Sequence, residues 1–379
     1  MMFWLVFLVK LCWVASALTE YQMICTTPVK EPGTCVLVKE CNFIRRVLAK
    51  LILNENDLHY IEASRCGTYE NKALVCCPKS TGSPPYHNRV DSIDSDDTGN
   101  LSDRRKLLPL PSECGVQYDD RIVGGERTGI ATYPWIARIQ HVDQRNNSAF
   151  HCAGSLINQR YVLTAAHCLA GVPRGWTITA VRLGEWDIET NPDCDDKECY
   201  DEVQDIDVEK LIVHENFVNQ RTEVHNDIGL LRLVSPARYS ETVSPICLPL
   251  DRRFENHPTY GAKLFVTGWG QTEADFGSRF KMHVSVPRVT LQQCRRKYPA
   301  ANIDERQICA GGQPGKDSCK GDSGGPLMEI VSSTGHQAQP AFYMMGVVSY
   351  GKECGLENVP GVYTKVNRFA DWILSHIES

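Results

Sequence analysis

Six cysteines fall between residues 25 and 77, and the last two are adjacent: Cys25, Cys35, Cys41, Cys66, Cys76 and Cys77. A stretch that short cannot bury much apolar surface. Covalent cross-links must hold it, so the pairing of its thiols bounds its fold. Spacing alone does not choose among the possible connectivities. Zinc is the rival use of clustered cysteines, but the segment has no Cys-x-x-Cys pair. Between Cys41 and Cys66, the apolar residues Phe43, Ile44, Val47, Leu48, Leu51 and Ile52 recur at helical spacing.

The chain carries 17 cysteines among 379 residues, which points to an oxidising compartment. Residues 1–17 are apolar and end in Ala15-Ser16-Ala17, a small-x-small pattern that reads as a cleaved secretory signal peptide. Lys10 interrupts the run, and a membrane anchor is the alternative. The stretch is short for a span and its lysine falls mid-segment, so no membrane span is expected. Removing the segment removes Cys12 and leaves sixteen of the seventeen cysteines, an even number that suits complete pairing. The formal net charge of −6 and the lack of a basic stripe exclude a nucleic-acid partner.

Residues 24–78 form the cysteine-rich unit, and 79–113 read as a linker rich in Ser, Pro, Asp and Gly. Arg104-Arg105-Lys106 in that linker is either a solvated charge run or a protease-sensitive site. Asn100 and Asn146 each open a glycosylation sequon. Beyond residue 122, short β-type runs alternate with turns: residues 135–139, 155–157, 161–164, 210–213, 228–233, 263–268 and 344–349. Strands at this spacing suggest an all-β barrel or sandwich. Residues 371–377 look like a C-terminal helix with an apolar face.

Within this second region, Ser323 sits in Asp317-Ser318-Cys319-Lys320-Gly321-Asp322-Ser323-Gly324-Gly325-Pro326. Glycines on both sides let backbone N–H groups approach a substrate closely. A serine hydroxyl is a weak nucleophile near neutral pH and needs a base, which in turn needs an orienting group. His167, in Ala165-Ala166-His167-Cys168, and Asp227, in Asn226-Asp227-Ile228-Gly229, supply both. His, Asp, Ser is one of the known chain orders of a catalytic triad. His141, His151, His214 and His225 have no such context and read as surface or structural residues.

Together with Arg121-Ile122-Val123-Gly124-Gly125, Gly268-Trp269-Gly270 and Pro360-Gly361-Val362-Tyr363, these segments resemble the trypsin/chymotrypsin serine proteases from about Cys114 onward. Val75-Cys76-Cys77-Pro78 resembles the end of the clip domain of arthropod serine proteases. The resemblance implies a double six-stranded antiparallel Greek-key barrel over residues 122–379, with the triad between the barrels, preceded by a small disulfide-rich clip domain. It implies the clip pairs Cys25–Cys76, Cys35–Cys66 and Cys41–Cys77. In the protease domain it implies Cys152–Cys168, Cys294–Cys309, Cys319–Cys354 and Cys194–Cys199. Cys114–Cys247 would tie the light chain, ending at residue 121, to the catalytic chain.

The resemblance further implies a zymogen cut after Arg121, whose new Ile122 terminus pairs with Asp322. The plain alternative is a strand start followed by a Gly-Gly turn. Backbone N–H groups of Gly321 and Ser323 would form the oxyanion hole. Asp317 would sit at the base of the S1 pocket and select Arg or Lys, with Ser318 adding a hydroxyl and Gly351 and Gly361 leaving the walls open. Ser349-Tyr350-Gly351 departs from the commoner Ser-Trp-Gly and bears on a neighbouring subsite. Glu185, Asp187, Thr190 and Asp193 would hold calcium, the middle two through backbone carbonyls; a solvated acidic loop braced by a disulfide is the alternative.

The function so implied is a secreted trypsin-like zymogen in an extracellular, haemolymph-like fluid. Its expected partners are an upstream activating protease, a downstream zymogen or ligand precursor as substrate, and a serpin-type inhibitor. Innate immunity, melanisation and Toll-ligand processing are the cascades the family serves. A non-catalytic clip-domain cofactor is the alternative from another class, and a digestive protease is a further one. The intact triad argues against the first, and the clip module and linker against the second.

Overall fold

The computed structural model describes residues 24–41, 43–44, 60–69, 72–78, 97–117, 126–196, 198–220, 223–270, 277–314, 321–332, 340–352 and 356–379. Residues 1–17, Arg121, Ile122, Asp317, Ser318, Cys319 and Cys354 lie outside the described residues, as do Val47, Leu48, Leu51 and Ile52. The chain divides into two compact units, Met1–Ile93 and Asp94–Ser379.

In the first unit, β1 (Ile24–Thr26), β2 (Pro32–Leu37), β3 (Arg65–Tyr69) and β4 (Lys72–Pro78) form an antiparallel sheet in the order β1-β2-β4-β3. Cys25 is bonded to Cys76, Cys35 to Cys66 and Cys41 to Cys77. Both residues of the adjacent pair lie in β4, where neighbouring side chains point to opposite faces, so one strand is stapled on both sides. The apolar cluster is small: Cys41, Phe43, Ile44, Tyr60 and Val75. The three bridges restrict the unfolded chain where so small a core could not stabilise the fold alone.

In the second unit, part of the stretch read as linker has regular structure. Asp97–Arg105 is a helix, α1. Arg104 donates from Nη1 to the carbonyls of Leu374 and Ser375, at the end of the C-terminal helix Ala370–His376. Those carbonyls have no partner within their own helix, and a cation is favourable at that end of the dipole. Asn158 donates to the Leu107 carbonyl at 3.0 Å, and Leu108 is buried. The segment therefore belongs to the second unit. Asn100 lies in α1, and Asn146 is exposed in the turn of the first hairpin.

Barrel one is closed. Its strands are β6 (Ile136–Asp143), β7 (Ser148–Asn158), β8 (Tyr161–Thr164), β9 (Trp176–Leu183), β10 (Gln204–Val213) and β13 (Gly229–Leu233), in the order β10-β13-β8-β7-β6-β9. A short hairpin, β11 (Val218–Gln220) and β12 (Glu223–His225), stands outside it. Barrel two runs β14 (Lys263–Gly268), β17 (Pro326–Ser332), β18 (Pro340–Tyr350), β19 (Pro360–Lys365), β16 (Gln307–Gly311) and β15 (Met282–Val289). Pairing of β14 with β15 closes it, and β5 (Glu126–Arg127) pairs with β15.

One apolar core runs through both barrels, joining Ile139, Leu156, Val181 and Leu230 of the first to Phe265, Met328, Phe342 and Val347 of the second. Each such side chain contributes roughly 1.5–3 kcal/mol when fully buried. The seam is aromatic. Tyr133 and Phe342 meet edge to face at 5.4 Å, and Trp135 donates its indole N–H to Met328 Sδ at 3.2 Å. This common core fixes how the barrels face each other, and so where their loops meet.

Candidate active site

The loops converge where barrel one delivers His167 and Asp227 and barrel two delivers Ser323. Strand β8 leads into a short helix, Ala166–Ala170, whose first turn holds His167. The backbone N–H of His167 has no partner within that turn, and Asp227 Oδ1 accepts it at 2.8 Å. The other oxygen, Oδ2, lies 2.8 Å from His167 Nδ1. One carboxylate thus grips both the backbone and the ring of the same histidine.

Asp227 is 2% exposed. Ser349 Oγ donates to its Oδ2, and Thr364 Oγ1 donates to its backbone carbonyl at 2.8 Å. A carboxylate oxygen facing Nδ1 selects the histidine tautomer with hydrogen on Nδ1. Ser349 and Thr364 were not foreseen as partners of Asp227. Ser349 stands beside the Tyr350-Gly351 pair, but only the fold brings it against residue 227.

The Ser323 turn is set by close approach to both barrels. Gly325 N bonds Asp322 O at 2.8 Å, and Gly324 N bonds Val348 O at 2.9 Å. The Ser323 carbonyl accepts from Ala153 N of barrel one at 2.8 Å. Gly324 has φ +81, and a Cβ there would fall 2.1 Å from Thr164 Oγ1 and 2.4 Å from Ala153 O. Gly321 has φ +103, and a Cβ would fall 2.9 Å from Gly270 Cα. Only glycine fits either place. Among the described residues, Ser323 Oγ makes no hydrogen bond to His167, whose Nε2 lies 3.7 Å from Cys168 Sγ. Catalytic contacts are often loose before substrate binds.

The Asp322 carboxylate is turned towards Gly268-Trp269-Gly270. Its Oδ1 accepts Gly270 N at 2.9 Å, and a Cβ on Gly268 or Gly270 would collide with it. Gly351 faces open space, with nothing within 4 Å of an added Cβ, and Gly361 is buried in β19. Tyr350 packs edge-on to Tyr298 at 6.1 Å, and its hydroxyl lies 3.5 Å from Gln307 Nε2.

Cys152 is bonded to Cys168 beside His167, Cys294 to Cys309, Cys194 to Cys199 and Cys114 to Cys247. Among the described residues, Cys152, His167 and Cys168 form a group whose possible metal-ligand atoms converge. Its two sulfurs are bonded to each other, so it is not a metal site. The Cys114 segment lies along β18, with Gly115 N bonded to Pro245 O at 2.8 Å and Gly115 O accepting Phe342 N at 3.0 Å.

The 185–193 loop is acidic and buried. Glu185, Asp187 and Asp193 are each less than 5% exposed. Asp187 gives its carboxylate to Arg279, at 2.7 and 2.6 Å, and Thr190 Oγ1 donates to Asp193 Oδ1 at 2.7 Å. The Asp187 carbonyl accepts the Thr190 N–H at 3.0 Å. Burial pushes the Glu185 carboxyl above its ordinary range; the charge of Asp193 adds to this, while Arg138 and Arg182 oppose it. Carboxylates and carbonyls in one loop are the oxygen donors that a hard cation such as calcium takes, and here Arg182 and Arg138 lie 3.2 and 3.7 Å from Glu185 Oε2 while Asp193 Oδ2 accepts the N–H groups of Trp186 and Asp187.

His141 and His225 are buried rather than on the surface, at 1% and 6% exposure. Among the described residues, no helix is long and apolar enough to cross a membrane.

Against this geometry, the trypsin family model matches residues 122–373, and the model of the regulatory CLIP domain of proteinases matches residues 25–77. CLIP domain-containing serine protease B4 of Anopheles gambiae is 40% identical over 93% of this chain and 91% of its own length. Melanization protease 1 of Drosophila melanogaster is 37% identical over 94% and 93%. The crystal structure of the Drosophila Grass clip serine protease of the Toll pathway superposes with a TM-score of 0.63 at 29% identity, covering 94% of this chain and 97% of that one. The chain belongs to the CLIP-domain serine proteases of the trypsin family.

Proposed function

We propose that the protein is a secreted serine endopeptidase zymogen that hydrolyses protein substrates after Arg or Lys in an extracellular proteolytic cascade. The observation that carries this reading is the buried Asp227 carboxylate gripping His167 at both its backbone N–H and Nδ1.

In the mechanism, Ser323 Oγ attacks the scissile carbonyl. His167 takes the hydroxyl proton on Nε2 and later passes it to the leaving amine. Asp227 holds the Nδ1 proton and stabilises the imidazolium, without itself becoming protonated. Backbone N–H groups of Gly321 and Ser323 stabilise the oxyanion; losing one such donor costs about two to three orders of magnitude in rate. Asp317, assisted by Ser318, pairs with the substrate's basic side chain between the open walls at Gly351 and Gly361.

Cleavage after Arg121 frees the Ile122 amine to pair with Asp322, whose carboxylate already rests on the Gly268–Gly270 strap. A buried ion pair of this kind is costly unless fully formed, which makes it a switch. Glu185 and Asp193 would hold calcium through their carboxylates, with Asp187 and Thr190 adding backbone carbonyls. The ion would brace the loop electrostatically and take no part in bond breaking.

An upstream protease acting at Arg121, a zymogen or ligand-precursor substrate, and a serpin-type inhibitor follow from this reading. So do a cleaved signal peptide at residues 1–17 and glycans at Asn100 and Asn146. The likeness to a melanization protease and to a clip serine protease of the Toll pathway supports a cascade role.

The test is hydrolysis of small Arg, Lys and Phe esters before and after cutting at Arg121. Activity only after cutting, on Arg and Lys but not Phe, is the expected result. Inertness after verified cutting would favour a non-catalytic clip-domain cofactor.

A further inference from the structure

The residue before Asp227 is in the left-handed region: Asn226 has φ +53. Asparagine tolerates that conformation better than most residues, but at a cost that its surroundings must offset. Its side chain is held at both ends. Oδ1 accepts Arg306 Nη1 at 2.9 Å, and Nδ2 donates to the Asn216 carbonyl at 2.6 Å.

Arg306 belongs to the other barrel and is itself immobilised. Its Nε and Nη2 donate to Asp304 Oδ2 at 3.0 and 2.5 Å, and its backbone N–H donates to Asp304 Oδ1 at 2.8 Å. With two nitrogens occupied by Asp304, Nη1 is aimed at Asn226. The next residue repeats the pattern, since Gln307 Nε2 donates to the Val224 carbonyl at 3.1 Å. Residues 304–307 of barrel two therefore clasp residues 224–226, at the end of the β11–β12 hairpin and immediately before the aspartate that orients His167.

We propose that Arg306 is a positioning residue for Asp227: by clamping Asn226 in its left-handed conformation, it aims the Asp227 carboxylate so that both oxygens reach His167. The proposal rests on the triad reading above. The Asp304 partner neutralises the guanidinium, so the clamp acts through geometry and adds little charge beside the triad. Displacing a catalytic group by about 1 Å can cost about a hundredfold in rate, so the clamp's contribution is measurable.

The experiment uses the full chain, cut at Arg121, with Arg306→Met, Arg306→Lys and Asn226→Gly. Glycine adopts the left-handed conformation freely but deletes both amide contacts, which separates backbone strain from the clamp. Two readouts are taken: kcat and KM on an Arg ester, and the low-field proton resonance of His167 Nδ1–H hydrogen-bonded to Asp227. Expected for Arg306→Met and Asn226→Gly are a fall of about ten- to a hundredfold in kcat, a KM change under about threefold, and a shifted or lost resonance. Arg306→Lys recovers part of the loss. A kcat within about twofold of the parent with an unchanged resonance overturns the proposal. An inert cut parent chain sinks the protease reading instead. The resonance is still read in that chain, where its survival in Arg306→Met overturns the positioning role and its loss supports it.

Discussion

Trp269 donates its indole N–H to the carbonyl of Trp186 at 3.1 Å. That bond joins the acidic 185–193 loop to the Gly268–Gly270 strap, and the strap holds Asp322 beside Ser323. Calcium in the loop should therefore be felt at the nucleophile. Calcium is expected to raise the melting temperature of the full chain, and Glu185→Gln to abolish the rise. The rise should also weaken at mildly acidic pH, because burial holds Glu185 above the usual carboxylate range and protons compete for it. Trp269→Phe should keep the rise in melting temperature but reduce the calcium dependence of ester hydrolysis. A double-mutant cycle with Glu185→Gln checks the coupling.

Asp227→Asn should reduce kcat by about four orders of magnitude while the fold survives, because an amide favours the wrong histidine tautomer. Ser323→Ala should abolish the covalent step while leaving binding of an Arg-bearing inhibitor intact. Active-site titration beside inhibitor binding checks both.

Gly324→Ala should cost at least about 2 kcal/mol, since it adds left-handed strain to contacts of 2.1 and 2.4 Å with Thr164 and Ala153. Thermal unfolding of the uncut chain measures this without relying on activity.

Arg279 holds the Asp187 carboxyl below its ordinary range, chiefly by direct hydrogen bonds. Because the folded value lies below the unfolded one, this stabilisation is fully present above about pH 4 and fades as pH falls through the lowered folded value. Arg279→Gln should lower stability at neutral pH and flatten the acid limb. Melting temperature against pH, parent beside variant, reads the difference.

Cys114→Ser with Cys247→Ser should leave the light chain attached under native conditions after a cut at Arg121, through the Arg104 contacts with the last turn of the C-terminal helix. Under denaturing, non-reducing conditions the two chains should separate. Native and denaturing gels of the same sample decide it.

The barrels were legible because their strands are short, apolar runs between turns, and closure buries them. The residues at the site could be read because a nucleophile, a base and an orienting acid each sit in a distinctive setting. Helix α1 was not legible. Asp97–Arg105 is polar with one large apolar residue, so composition reads it as linker; Leu101 packs on the main core and Arg104 meets carbonyls about 270 residues away. The Arg306–Asn226 clamp was equally hidden. Arginine, asparagine and aspartate in half-buried turns have no periodicity, and only the approach of the two barrels gives them partners.

The bridge between Cys114 and Cys247 bears on what a cut at Arg121 would do to the particle. Such a cut adds two chain ends without adding a molecule. Rejoining of residues 97–117 to the barrels after any local loosening stays first order, at an effective concentration of about millimolar that dilution cannot lower. Whatever recognises the amino-terminal unit would thus meet it and the protease in a fixed ratio of one to one, however far the pair diffuses from where it was cut.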